Sequence, residues 1–230
     1  MNLLLSAFAW IFDPAHWSGP NSISLRLLQH LWITGISVAI AALIALPVGI
    51  IIGHLRKGAG FVGALTGAAR AIPTLGLLTL LGLWFGIGLT APMVALVILA
   101  IPSLLAGAYA GIQALDPAVA QGAQAIGMSP TQVVFGVELP LASPTIVGGI
   151  RAATLQVVAT ATLAAYTADV GLGRFLFTGL KTRNYAEMLG SAILVVALAL
   201  LLELLLSAAQ KALASRLSNT TSVSRERSRL

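Results

Sequence analysis

Apolar residues gather in five long runs separated by short polar breaks. The runs cover Leu31–Gly53, roughly Phe61–Leu83, roughly Thr90–Gln113, roughly Pro144–Tyr166 and roughly Met188–Gln210. Each reaches the roughly 20 residues needed to cross a bilayer. A lipid-exposed segment must satisfy its own backbone hydrogen bonds, so each run predicts a helix. The pattern is that of an all-α integral membrane protein with about five transmembrane helices. A further apolar run, MNLLLSAFAWIF, is about half the required length and predicts an interfacial segment. It lacks the basic start of a cleaved signal peptide. The expected organisation is an external or interfacial segment over 1–30, a transmembrane domain over 31–210 and a basic tail over 211–230.

Composition agrees with the pattern. Hydrophobic residues make up 58% of the chain and charged residues 9%, against roughly 25% charged in soluble domains. Mean hydropathy is +0.96. A soluble globular domain is excluded, and a multi-pass cell-membrane protein is expected, with the bilayer as one partner. The net charge of +6 would suggest nucleic acid in a soluble protein. Here the basic residues flank the apolar runs, so no nucleic-acid partner is expected and the charge reports topology. With the N-terminus outside, Arg56, Lys57, Arg70, Arg151, Lys211, Arg216, Arg225, Arg227 and Arg229 fall at or near the cytoplasmic side. Arg26, Arg174, Lys181 and Arg183 fall outside, and the excess predicts a cytoplasmic C-terminus. The tail SNTTSVSRERSRL is polar and basic and predicts disorder.

Several chemistries are unsupported. There are no cysteines, so disulfide and thiol chemistry are ruled out. His16, His30 and His54 are scattered and show no metal-ligand spacing. No nucleophile–base set is visible, and no enzyme activity is expected. No G-x-x-x-x-G-K-[ST] loop is present to cradle phosphates, so no cofactor is expected in this chain and energy must come from a partner.

Prolines recur in or at the start of four runs: Pro47, Pro73, Pro92 with Pro102, and Pro144. Each removes a backbone donor and favours a kink. Small residues in VGIIIG, GFVGALTGAA and GGIRAA allow close helix contact. Together they predict a packed, bending bundle rather than a simple anchor.

The stretch between the third and fourth runs, residues 115–143, has a different texture. Asp116 followed by Pro117 reads as an N-cap and first helical position. A short helix over Pro117–Ile126 should end at Gly127, which tolerates the left-handed conformation. Ser129, Pro130 and Gln132 form a second start with a capping box. That second helix should end near Leu139-Pro140, since the residue before proline is pushed out of the helical region. Val119, Gly122, Ala123 and Ile126 follow i, i+3, i+4, i+7 spacing and share a face. Such a face could fold onto the membrane or enter a groove on another protein.

This stretch resembles the EAA loop of ABC-importer permeases, E-A-A-x-x-x-G-x(9)-I-x-L-P. Gln121-Gly122-Ala123 stands where E-A-A is expected, three residues separate Ala123 from Gly127, and nine more lead to Val137-Glu138-Leu139-Pro140. The departures are Gln for Glu, Gly for Ala and Val for Ile. Gln121 keeps a donor and an acceptor but carries no charge. The resemblance implies that Pro117–Ile126 is a coupling helix docking on a cytoplasmic ABC ATPase dimer, where ATP and Mg would bind. Contacts would fall at Val119, Gln121, Gly122, Ala123, Ile126, Gly127, Glu138, Leu139 and Pro140. It also implies a second permease subunit, identical or related, and an extracytoplasmic substrate-binding protein. RAIPTLGLLTLLGLWFGIG and ATATLAAYTADVGLGRFLFTGL look like the osmoprotectant subgroup, whose substrates are glycine betaine, choline, carnitine or proline. The glycines Gly171, Gly173 and Gly179 fit methionine permeases equally. An amino-acid permease, or an ATP-independent secondary transporter, is the alternative.

A few polar positions stand inside the apolar runs. Thr154, Gln156, Thr160 and Thr162 could line a pathway, or the threonine hydroxyls could bond their own helix. Tyr166 and Asp169 lie toward the outer mouth, with Trp84 and Phe85. The aromatic residues suit an interfacial belt, or a cage for a quaternary ammonium. Arg151 and Glu203 are each about seven residues inside their spans, roughly 10 Å deep at 1.5 Å per residue. Matched depth and opposite charge suggest an ion pair, with separate snorkelling as the alternative.

Overall fold

The computed structural model describes residues 2–227, apart from the side chains of Arg70 and of residues 216–227. Arg70, Arg216, Arg225, Arg227 and Arg229 of the orientation count therefore have side chains outside the described residues. All regular structure among the described residues is helical. In chain order the helices are α1 (Leu3–Phe12), α2 (Ile23–His54), α3 (Ala59–Ala71), α4 (Thr74–Phe85), α5 (Thr90–Gln113), α6 (Pro117–Ala125), α7 (Pro130–Val133), α8 (Leu139–Thr160), α9 (Gly173–Thr182) and α10 (Tyr185–Arg227). Four helical stretches among the described residues are long and apolar enough to span a membrane, or five if α3 and α4 count together.

The core is a three-helix unit of α2, α5 and α8, with Ile33, Ala41, Leu96, Ala100, Leu104, Ala153 and Val157 buried between them. Glycine makes the close approaches possible. A Cβ on Gly107 of α5 would stand 2.6 Å from the Cα of Gly149 on α8. One on Gly49 of α2 would stand 2.8 Å from the Leu105 carbonyl. In lipid there is little hydrophobic drive between helices, so such contact surfaces supply the association energy. α10 packs outside α8 and α9, and α1 packs on α10, where Trp10 lies over Gly190.

The two ends of α2 orient the rest. At one end Arg26 reaches the 158–171 segment, and the turn before α5 joins the same end through Gly88 N–H donating to Thr167 O at 3.0 Å. At the other, His54 and Arg56 meet the loop after α5. α3 starts beside Ile52 near that second end, so α3 and α4 together run from one end of the bundle to the other.

Several expectations are revised. The second apolar run is not one helix: α3 and α4 meet at 85°. Ile72, the residue before Pro73, takes ψ 118 and leaves the helix, as pre-proline crowding favours. Leu139-Pro140 does not end a helix. The chain passes through it by a wider turn over Val134–Glu138, in which Leu139 N–H donates to Val134 O five residues back. The fourth span therefore continues directly from Pro130. Pro144 lies inside α8, where the Ser143 hydroxyl donates to the Pro140 carbonyl at 2.8 Å, the acceptor that Pro144 cannot serve. Helix α2 begins at Ile23, so residues 23–30 are continuous with the helix of the first span. α10 extends through Arg227, where a disordered tail was expected from Ser218.

Candidate functional site

The loop between α5 and α8 carries the local structure its residues predict up to Ser129. Asp116 Oδ1 accepts from Ala118 N at 2.9 Å and starts α6. Gly127 sits at φ +93. Its N–H donates to Gln124 O at 2.9 Å and Met128 N–H donates to Ala123 O at 3.2 Å, a Schellman turn. Ser129 and Gln132 form the reciprocal capping box. The result is one short helix, one tight turn, and a helix start that is already the base of α8.

The expected apolar face of α6 is divided. Ala123 is buried at 8%, while Val119 is 40% and Ile126 82% exposed. Gln121 and Gly122 are exposed as well. Phe135, on the wide turn, is 68% exposed and was not singled out in the sequence, since no local pattern marks it. Val119, Ile126 and Phe135 leave three apolar side chains without cover at one end of the molecule. Pro140 is exposed and Leu139 half-buried.

Glu138 is the exception in this loop. It is 3% exposed, and its Oε2 accepts from His54 Nδ1 at 2.7 Å. Arg56 Nη2 donates to Leu115 O at 2.7 Å, and Gln113 Nε2 donates to Gly53 O at 3.2 Å. The end of α2 thus holds both the entry and the exit of the loop.

The polar residues of the fourth span divide by partner. The hydroxyls of Thr154, Thr160 and Thr162 donate to Ile150 O, Gln156 O and Ala159 O of their own helical segment. Gln156 instead faces α5, its Oε1 accepting from Ser103 Oγ at 3.1 Å. Gln156 and Ser103 border a cavity of about 80 Å³ that also touches Thr66 and Ala69 of α3. Tyr166 is exposed and its ring lies 6.0 Å from Phe177. Trp84 and Phe85 are exposed and stacked on one another at 6.1 Å, apart from Tyr166 in the described contacts. Arg151 and Glu203 stand together as a bidentate ion pair, with Gln210 as a third member.

At the opposite end from the loop, Asp169 lies between two guanidinium groups. Arg26 Nη2 is 2.9 Å and Arg174 Nε 3.1 Å from its Oδ1. Arg26 also donates to the Asp169 backbone carbonyl, to Asn21 Oδ1 and to Gln29 Oε1. Gln29 in turn accepts from Gly171 N–H, and His30 Nε2 meets Val158 O at 2.9 Å. Sequence reasoning placed Asp169 at a mouth but missed Arg26, which is only 3% exposed and 143 residues away.

Comparison with known proteins gives consistent matches. Residues 45–219 match the family described as binding-protein-dependent transport system inner membrane component. The chain is 32% identical over 188 residues to the choline transport system permease protein OpuBB of Bacillus subtilis (strain 168), covering 82% of this chain and 87% of that one. It is 30% identical over 183 residues to the glycine betaine/carnitine/choline transport system permease protein OpuCB of the same organism, covering 80% and 84%. Among solved structures, an inward-facing methionine ABC transporter, MetNI, matches with a TM-score of 0.72 at 23% identity, over 83% of this chain and 95% of that chain. At that identity the likeness shows a shared fold.

Proposed function

The chain belongs to the family of binding-protein-dependent transport system inner membrane components, and from that premise we propose that it carries a small osmoprotectant, glycine betaine or another quaternary amine, across the cell membrane. The observation that carries the substrate class is the identity of 30–32% to choline and betaine permeases over four-fifths of the chain. The methionine transporter supports the fold alone, so an amino-acid substrate is the second reading.

In this reading the His54 end of the bundle is cytoplasmic and the Arg26 end external. The exposed side chains Val119, Gln121, Ile126 and Phe135 face a groove on a separate ATPase dimer, which binds ATP and Mg. Ala123 and Gly127 hold the shape of that surface rather than touch the partner. The 158–171 segment receives substrate from an external binding protein, and a second permease subunit completes the pathway beside Ser103 and Gln156. ATP binding closes the ATPase dimer, moves the loop, and switches the bundle between inward-open and outward-open states.

The test is uptake into proteoliposomes holding this chain with its ATPase, any second permease subunit and its binding protein. Labelled glycine betaine, choline and carnitine should accumulate only with internal ATP. Uptake of methionine in their place would shift the assignment to the amino-acid reading. Accumulation without any ATPase would sink the ATP-driven reading.

A further inference from the structure

Glu138 poses a physical problem that the docking surface leaves open. Its side chain is 4% exposed, at the end of the wide helical turn that leads from the loop into α8. Burying a carboxylate is costly unless it is paired, and replacing a buried pair by apolar side chains is often neutral for stability. Stability alone therefore gives no reason for Glu138 to be ionisable. What the pair with His54 does provide is a directional tether of fixed length between the loop exit and the last turn of α2.

The rest of α2 gives that tether a consequence. α2 is a continuous helix of 32 residues, about 48 Å long at 1.5 Å per residue, and it stays helical through Pro47. His54 in its last turn grips the loop at Glu138, and Arg56, two residues past the helix end, grips it at Leu115 O. Three positions near its start, Arg26, Gln29 and His30, grip Asp169, Gly171 and Val158. The fourth span joins the same two regions through its own backbone, Pro130 to Tyr166, whereas α2 is tied to both by side-chain hydrogen bonds. Packed side chains can slide past one another, whereas a charge-assisted hydrogen bond resists both separation and sliding.

We propose that His54 and Glu138 are positioning residues through which movement of the 115–138 loop is passed to α2, and along α2 to the mouth at Asp169. The inference rests on the ATP-driven reading above. Movement enters at Glu138, α2 shifts as a rod, and the Arg26, Gln29 and His30 contacts carry the 158–171 segment with it.

The absence of cysteine makes a clean test possible. Tyr166→Cys places a single thiol at an exposed position near the mouth. Its reaction with a membrane-impermeant maleimide is followed in the complete reconstituted transporter, with and without ATP and vanadate, and ATP hydrolysis is recorded in parallel. Two variants are compared on that background. Glu138→Gln keeps an acceptor for His54. His54→Ala with Glu138→Gln leaves a neutral amide and no tether, so no buried charge is stranded. The ATP-dependent change in labelling rate, per ATP hydrolysed, should stay within about 2-fold for Glu138→Gln and fall at least 10-fold for the double variant. His54→Leu with Glu138→Leu, which fills the site with apolar side chains, should fall likewise. A double variant that keeps the full change overturns the tether, as does Glu138→Gln losing it equally. If the unmodified pair shows no ATP-dependent change at all, the ATP-driven reading itself fails and takes the tether with it.

Discussion

Arg151 and Glu203 face each other across α8 and α10 through two parallel contacts, Nε to Oε2 at 2.7 Å and Nη2 to Oε1 at 2.6 Å. This is the fork geometry in which arginine binds a carboxylate most strongly. Arg151 Nη1 also donates to Gln210 Oε1 at 2.9 Å, and Gln210 Nε2 donates to Pro144 O at 2.9 Å. The network joins α10 to the proline-containing half of α8. Each side chain of the pair is about a third exposed. Removing one partner of a fully buried pair costs about 3–5 kcal/mol, so about 1–3 kcal/mol is expected here. Arg151→Ala and Glu203→Ala should each lower the unfolding midpoint of the detergent-purified complex. Arg151→Glu with Glu203→Arg should recover a substantial part of the loss. Single variants that melt like the parent would remove the pair from the stability account.

Gly127 stands at φ +93 with nothing within 4 Å of where a Cβ would be. The constraint is therefore backbone conformation, not space. A β-branched side chain at positive φ costs about 1–3 kcal/mol, comparable to the whole stability of a short turn. Gly127→Val should leave membrane insertion intact and abolish ATPase stimulation by the binding protein. Gly127→Asn, which tolerates this conformation better, should keep a measurable part of it. Full stimulation in the valine variant would refute the role given to the turn.

Sequence legibility followed the range of the interactions. The third apolar run coincides with α5 at Thr90–Gln113, because an uninterrupted run flanked by breakers contains its own boundaries. The start of α6, the turn at Gly127 and the capping box at Ser129 were readable for the same reason: every bond involved spans five residues or fewer. The prolines were harder. Pro47, Pro102 and Pro144 lie within helices, whereas Pro73 separates two. A local rule assigns all four the same tendency, and what rescues Pro144 is a hydroxyl on its neighbour Ser143. The contacts of Arg26 and Glu138 span 143 and 84 residues, and no periodicity encodes them. Arg151 and Glu203 were different, since matched depth from their span ends made them natural partners.

The glycines of this chain should divide sharply under substitution. Gly149 meets the Gly107 Cα at 2.8 Å from its would-be Cβ, backbone against backbone, so neither helix can yield by a rotamer change. Gly149→Val should separate α5 from α8 and sharply reduce the amount of folded protein recovered in mild detergent. Gly122, inside α6, has nothing within 4 Å. Alanine is preferred to glycine in a helix interior by about 0.5–1 kcal/mol. Gly122→Ala should therefore be neutral or slightly stabilising in the unfolding midpoint of the purified protein. A Gly149→Val protein with the parent's yield and melting curve would show that the α5–α8 contact tolerates separation.

Arg26 and Asp169 share an ion pair but should not be equally sensitive. The Arg26 side chain is 4% exposed and that of Asp169 64%. Arg26 meets four acceptors: Asp169 Oδ1, Asp169 O, Asn21 Oδ1 and Gln29 Oε1. Asp169→Asn still offers a side-chain oxygen and removes none of the other three, so its effect on the melting temperature should be small, below about 1 kcal/mol as for exposed pairs. Arg26→Lys keeps the charge but has a single ammonium in place of a planar fork. It cannot serve acceptors on both sides of the site, so part of the network around the buried Arg26 position loses its donor. Arg26→Lys should therefore destabilise the purified protein more than Asp169→Asn does, by several degrees in the unfolding midpoint. If the two variants melt together, Arg26 is held by its charge alone and the acceptor network around it contributes nothing to stability.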